Sequence, residues 1–275
     1  MSIKILVAPA GSGKTAHVID RVQSTMARQQ PTLSPVRVIV PDHLKAEAFR
    51  RRLAEAGGGI GIQVQTFYDL YADILTLAQN PAAPMPVRLP PAVRRRLIYR
   101  LVAQLVDAGQ VIYYAPLHAA PGFARLLADL FEELKRARIF PEALAAALAD
   151  DTGVEPRLIE LAQLYAAYQA YLIEAGWADT EGQGWLAAIA LEESAALLAD
   201  LALLVVDGFD EFNPTQLAVL RLLAERAAET TVTLTGDLQR PDRLAHRRLA
   251  RARTALVEAL DVEITPLSPS PSPPV

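Results

Sequence analysis

Apolar and polar positions follow two different periods along this chain. In residues 1–79, three short runs of strand type, in which apolar residues follow one another or alternate with polar ones, are each followed by a segment of helical periodicity. The runs are residues 3–8, 36–40 and 62–66, and the helical segments are residues 14–28, 44–56 and 68–78. Strands and helices that alternate at this spacing predict a parallel sheet with helices on its faces.

The middle of the chain shows only the helical period. Prolines cluster between residues 80 and 91 and indicate a loop, and no strand pattern follows until residue 201. The predicted helices cover residues 92–108, 122–138, 141–150, 157–175 and 180–199. The strand pattern then returns at residues 201–206 and 231–235, and helices are predicted at residues 214–228 and 243–260.

These patterns predict an α/β fold with an all-helical insertion. Residues 1–79 and 201–265 form one α/β domain, and its two pieces must share one sheet. Residues 80–200 form the inserted helical domain. A tail rich in serine and proline follows as residues 266–275, and its polar character begins at residue 265. We expect this tail to be a linker or a disordered end.

Composition excludes several classes of chemistry. The 275 residues include no cysteine, which excludes disulfides, thiolate catalysis and cysteine–zinc sites, and the four histidines lie far apart in sequence. A net charge of −4 leaves no dominant basic footprint for nucleic acid. The apolar stretches at residues 5–10 and 201–206 are too short for a signal peptide or a membrane span, so we expect a soluble cytoplasmic protein.

The strongest chemical motif follows the first predicted strand. Residues 8–15 read Ala-Pro-Ala-Gly-Ser-Gly-Lys-Thr and open a helix, which is the context of a phosphate-binding loop. The predicted nucleotide contacts are Ala10, Gly11, Ser12, Gly13, Lys14 and Thr15. Lys14 would reach the β- and γ-phosphates, and the Thr15 hydroxyl would bind Mg²⁺. Ala8 replaces the usual first glycine, and an alanine there needs only ordinary backbone angles.

A second acidic motif complements this loop. The apolar run that includes Leu203–Val206 ends on Asp207, and a phosphate-loop protein needs an acid at the end of a neighbouring strand to hold the metal. By itself an aspartate after a strand also fits a simple loop cap. Together the two motifs predict a site for ATP and Mg²⁺.

The two motifs resemble those of superfamily 1, UvrD-like helicases. With Val38–Asp42, Val64–Leu70, the Pro121-Gly-Phe stretch and Gly236-Asp237, the similarity is greatest to the amino-terminal helicase-like region of AddB-type subunits of bacterial ATP-dependent helicase–nucleases. The resemblance covers residues 3–240 and implies a RecA-like sheet. It also implies that Asp237 senses the nucleotide and that Asp207, Asp210 and Glu211 belong to the catalytic motif.

The resemblance also implies single-stranded DNA binding. The implied contacts are His43, Thr66, Phe67, Tyr68, Arg243 and Arg247. The aromatic residues would stack on bases, although Phe67 and Tyr68 are also compatible with the apolar face of a helix. The arginine runs at residues 94–100 and 240–253 are equally compatible with solvated helix faces.

Departures from the family pattern limit the expected activity. Gly208 stands where active helicases carry the glutamate that positions the attacking water, and neither a second motor domain nor a nuclease motif can be placed. We therefore expect ATP and DNA binding with weak or no hydrolysis, and a helicase–nuclease partner subunit or further motor and nuclease domains. Two alternatives stay open, a P-loop kinase acting on a small molecule and a nucleotide-free structural adaptor.

Overall fold

The computed structural model describes residues 2–28, 35–79, 86–150, 153–237 and 247–267. Its strands are β1 (Ser2–Ala8), β2 (Val36–Ile39), β3 (Ile62–Gln65), β4 (Val87–Arg88), β5 (Trp177–Ala178), β6 (Leu203–Phe209), β7 (Glu229–Thr235) and β8 (Ile264–Pro266). Its α-helices are α1 (Lys14–Arg28), α2 (His43–Glu55), α3 (Phe67–Leu77), α4 (Pro91–Asp107), α5 (Pro121–Arg136), α6 (Pro141–Ala149), α7 (Pro156–Glu174), α8 (Thr180–Glu193), α9 (Pro214–Ala224) and α10 (Arg247–Leu260).

Six strands form one sheet in the order β3-β2-β6-β7-β1-β8, and each described pair in it is parallel. The predicted α/β class with a RecA-like parallel sheet flanked by helices is therefore confirmed. Strands from both ends of the sequence alternate in this order, so the two pieces share one sheet as expected. β6 is buried along nearly its whole length, which explains its continuous apolar sequence.

The chain divides into two compact units, residues 1–77 with 188–275, and residues 78–187. In the first unit, α1 and α2 pack their apolar faces on the sheet through residues that include Val22, Phe49 and Val205. In the second unit, α4, α5 and α7 enclose a separate core that contains Phe131, Tyr165 and Trp185. Each unit thus buries an apolar core of its own.

Three local predictions were wrong. β8 pairs with β1, so the polar tail begins with a short edge strand, where a proline such as Pro266 is tolerated. The short β4–β5 pair lies in the insertion predicted to be all-helical, with β4 in the predicted loop at residues 80–91 and β5 between two predicted helices. α8 ends at Glu193 rather than at residue 199. Arg226 donates to the Leu191 carbonyl in the last turn of α8 and to the Leu197 carbonyl beyond it, and Leu198 adopts a φ of 57°, which no helix continues through.

No helix among the described residues is long and apolar enough to cross a membrane. Within the same residues, no three His, Cys, Asp or Glu side chains are grouped so that they could hold a metal ion by themselves.

Candidate functional site

The predicted phosphate loop lies between the end of β1 and the start of α1. Gly11 and Gly13 have φ angles of 78° and 81°, values in the left-handed region that favours glycine. The loop closes on itself, because the Ser12 Oγ donates to the Pro9 carbonyl at 2.7 Å. Since the loop follows β1, which is parallel to its neighbours β7 and β8, it opens at the carboxyl edge of the sheet, where ligands of such sheets bind.

Lys14 folds back over this loop. Its ammonium donates to the carbonyl oxygens of Ala8 at 3.0 Å and Pro9 at 2.7 Å. Burial lowers the pKa of Lys14 below its ordinary 10.5, and the Asp207 carboxylate opposes that change. Both partners of the ammonium are neutral carbonyls, which an anionic ligand can replace because ion-assisted hydrogen bonds are the stronger kind.

Asp207 joins the phosphate loop to the strand beside it. Its Oδ2 accepts a hydrogen bond from the Thr15 Oγ1 at 2.9 Å, and its Oδ1 accepts one from Thr233 on β7. The aspartate is only 7% exposed. Residues of α1, β6 and β7 therefore meet at this edge of the sheet, where the Thr15 and Thr233 hydroxyls donate to the buried Asp207 carboxylate.

The end of β6 contains a bulge. Val206 pairs with Val232 and Phe209 pairs with Leu234, so β6 contains one more residue than β7 over this interval. Gly208 has a φ of 84° and its carbonyl accepts from the Lys45 ammonium at 2.8 Å. The bulge directs Asp207 toward Thr15 and the next carbonyl toward α2.

The other predicted acidic residues of the site follow two neighbouring strands: Asp210 and Glu211 come after β6, and Asp237 comes after β7. Asp210 and Glu211 follow β6 as exposed residues, whereas Asp207 lies within the strand and is buried. Gly236 donates its backbone N–H to the Ala8 carbonyl at 3.0 Å, which places Asp237 one residue from a direct contact with the loop.

The predicted DNA contacts divide by burial. Thr66 is buried and caps α3, since its Oγ1 accepts from the Asp69 backbone N–H at 3.3 Å and donates in turn to the Asp69 Oδ2 at 2.8 Å. Phe67 is 2% exposed and packs edge-on against Phe209, with ring centroids 5.4 Å apart. Neither side chain presents a surface to a base, because both complete the packing where α3 meets the end of β6.

Two predicted DNA contacts are accessible. The His43 side chain is 78% exposed and lies 3.7 Å from the Asp69 carboxylate, and Tyr68 is half-buried beside Tyr71. Arg243 lies outside the described residues, and of Arg247 only its place at the start of α10 is described.

Two site residues were missed by sequence reasoning. Thr233 lies in a strand of alternating threonines, a pattern that by itself indicates only a strand, and Lys45 is an ordinary helix-surface residue in sequence. Strand order and the β6 bulge bring both to Asp207 and Gly208, and no local signal could have found them.

Comparison with known proteins gives a consistent family. The family model described as ADDB, N-terminal, matches residues 5–256. A protein of Moorella thermoacetica, named as a subunit of an ATP-dependent helicase/deoxyribonuclease, is 31% identical over 259 residues, covering 90% of this chain and 21% of the relative. Proteins of the same name from Ruminiclostridium cellulolyticum and Desulforudis audaxviator are 25% and 28% identical, each covering 86% of this chain and 20% of the relative. The chain thus spans about a fifth of the length of these relatives.

Proposed function

This chain belongs to the AddB N-terminal family, and on that premise we propose that it is an ATP-binding, helicase-like module of a DNA-repair helicase–nuclease. The observation that carries the proposal is the 2.9 Å contact between the Thr15 hydroxyl and the Asp207 carboxylate. Phosphate-loop enzymes use this pair of groups to hold the metal of Mg·ATP. The superfamily 1, UvrD-like character of the site is part of the same proposal.

The chemistry of the donors fits Mg²⁺. The ion prefers oxygen ligands and keeps several waters, so one hydroxyl, one carboxylate and the phosphates of the nucleotide suffice. Thr15 and Asp207 would hold it, and it would neutralise charge on the β- and γ-phosphates. Lys14 and the backbone N–H groups of residues 11–15 would bind the phosphate oxygens themselves.

Calorimetry of Mg·ATP binding tests the proposal. Lys14→Ala should weaken binding about ten- to hundred-fold, because it removes a charge-assisted hydrogen bond of about 1.5–3 kcal/mol. Lys4→Ala is the matched control, since Lys4 is exposed near the start of β1, away from the loop. Equal affinity in the wild type and Lys14→Ala would contradict the proposed role of the loop, and no binding by the wild type would favour the structural adaptor.

We further propose that hydrolysis is weak. Gly208 carries no side chain that could orient water, and general-base catalysis is worth about 10²–10⁴-fold. Steady-state phosphate release with excess single-stranded DNA measures this directly. A turnover of several per second that is abolished by Asp210→Ala or Glu211→Ala would contradict the proposal and make those acids catalytic.

Single-stranded DNA is the proposed second ligand. Tyr68 and His43 are the accessible contacts beside the capped start of α3, and a base stacked on an aromatic ring gains about 1–3 kcal/mol. Anisotropy titrations at low salt should show weak binding that tolerates any sequence and is reduced by Tyr68→Ala. Tyr99→Ala, a change at a tyrosine 40% exposed on α4, is the control. An unchanged affinity in Tyr68→Ala would remove this contact from the proposal.

A further inference from the structure

Lys45 reaches across the end of β6 from the first turn of α2. The loop between β2 and α2 carries it there, because β2 pairs directly with β6 and Asp42 caps α2 by accepting from the Lys45 backbone N–H at 2.8 Å. Its Nζ donates to the Gly208 carbonyl at 2.8 Å. An ammonium group therefore lies one residue from the acid that binds Thr15.

The bulge in β6 lies beside this ammonium. A Cβ atom built on Gly208 would lie 3.6 Å from the Lys45 Nζ and 3.8 Å from the Pro41 Cδ. The space that a side chain at position 208 would enter is therefore bordered by a cation. A glutamate at this position in an active motor would be an anion, so the local charge is opposite in sign here.

The hydrogen bonds of Lys45 are only partly used. An ammonium has three N–H donors, and the Gly208 carbonyl accepts one of them. Among the described residues, no carboxylate forms an ion pair with Lys45. Two donors of this exposed ammonium are thus available beside Gly208, the residue that follows Asp207.

The neighbouring phosphate is identified by position. Thr15 and Asp207 would hold a metal that neutralises charge on the nucleotide phosphates, and the position after the strand acid is where such enzymes orient the nucleophile that attacks the γ-phosphate. A group bordering position 208 consequently faces the terminal phosphate rather than the α- or β-phosphate. A cation cannot accept a proton from water, but it binds phosphate oxygens well.

We propose that Lys45 is a specificity-determining residue that contacts the terminal phosphate and makes this site prefer nucleoside triphosphates over diphosphates. The inference rests on the proposed nucleotide-binding function. It adds that the module distinguishes ATP from ADP with a cation where a motor carries a catalytic acid. Such a site responds to the presence of the γ-phosphate without needing to cleave it.

The test compares the magnesium complexes of β,γ-imido-ATP and ADP by calorimetry. Lys45→Met should weaken binding of the triphosphate about ten- to hundred-fold, which corresponds to one charge-assisted hydrogen bond, and change ADP binding less than about two-fold. Lys45→Arg keeps the charge and should retain most of the preference. Lys4→Met is the control for loss of one exposed lysine, and thermal unfolding of each variant checks that it is folded.

The possible outcomes separate the two proposals. Equal weakening of both nucleotides in a folded Lys45→Met variant would mean that Lys45 only braces the bulge, and the inference would be overturned. If Lys45→Met changed neither affinity, the inference would be overturned as well, while the proposed function would stand. A wild type that binds neither nucleotide would overturn the proposed function and this inference with it.

Discussion

Each of the two units of this protein contains a lysine beside an aspartate, and the two pairs differ in their surroundings. Lys14 in the phosphate loop and Lys135 in the helical unit each have a pKa lowered by burial and raised in part by one aspartate, Asp207 or Asp179. Their contacts differ. Lys14 donates to two backbone carbonyls, whereas Lys135 is 0% exposed and donates to both oxygens of Asp179, at 2.9 and 2.8 Å.

The buried pair of Lys135 and Asp179 makes further contacts with its neighbours. Asp179 also accepts from the Tyr168 hydroxyl at 2.8 Å and from the Gly182 N–H at 2.7 Å. The Lys135 ammonium lies over the rings of Tyr168 and Trp185, and the Trp185 indole donates to the Lys135 carbonyl at 2.7 Å. These contacts tie α5, α7 and the start of α8 together, so the pair specifies packing.

In the phosphate loop, the hydrogen-bond partners of Lys14 can be replaced by a ligand. The carbonyls that Lys14 contacts are neutral and belong to Ala8, at the end of β1, and to the exposed Pro9, so a phosphate can replace them without leaving a buried charge. A lysine–aspartate pair therefore indicates structure when both groups are enclosed and bonded to each other. It indicates a binding site when the two are held apart by other partners.

Substituting methionine at each lysine is the most direct way to break this comparison. Lys135→Met should reduce the free energy of unfolding by about 3–5 kcal/mol, because it leaves the buried Asp179 without its cation. Lys14→Met, the same substitution at the other site, should change it by no more than about 0.5 kcal/mol. Denaturant unfolding measures both. Similar losses in the two variants would contradict the distinction between the two pairs.

Removing single hydroxyls sharpens the account of the helical unit. Tyr168→Phe should cost about 1.5–3 kcal/mol, because its hydroxyl donates to a charged acceptor. Tyr165→Phe is the matched change. Its hydroxyl donates to the neutral Ile139 carbonyl at 2.9 Å, so the expected cost is about 0.5–1.5 kcal/mol. Equal losses by thermal unfolding would show that the Asp179 charge contributes nothing extra.

A glycine substitution tests the corresponding claim for the sheet edge, where the backbone conformation of Gly208 forms the bulge after Asp207. Gly208→Ala should cost about 1–2 kcal/mol, because an alanine at a φ of 84° is strained although its Cβ would touch nothing closer than 3.6 Å. Gly122→Ala, in α5 and with nothing within 4 Å of its Cβ, should be neutral or stabilising. Chemical denaturation of both variants compares them, and an unaffected Gly208→Ala would mean that the bulge relaxes.

Local sequence patterns predicted helices and strands correctly where a pattern was compatible with only one type of element. The helix predicted at residues 14–28 is observed with the same bounds, since the phosphate loop determines its start. The apolar run ending at Asp207 lies in the buried β6. The strand at Ile264–Pro266 was missed because an edge strand pairs on one side only and its residues read as a polar tail.

The sequence by itself determined the fold class, the phosphate loop and the acid that accompanies it, because periodicity and glycine placement are local properties of the chain. Only the tertiary structure decided which groups surround that acid. The contact between Thr15 and Asp207 spans 192 positions of sequence, and the contact of Lys45 with Gly208 spans 163. Such contacts depend on strand order and on one extra residue in β6. Pairing between distant strands is a property of the whole sheet, which no window of the sequence contains.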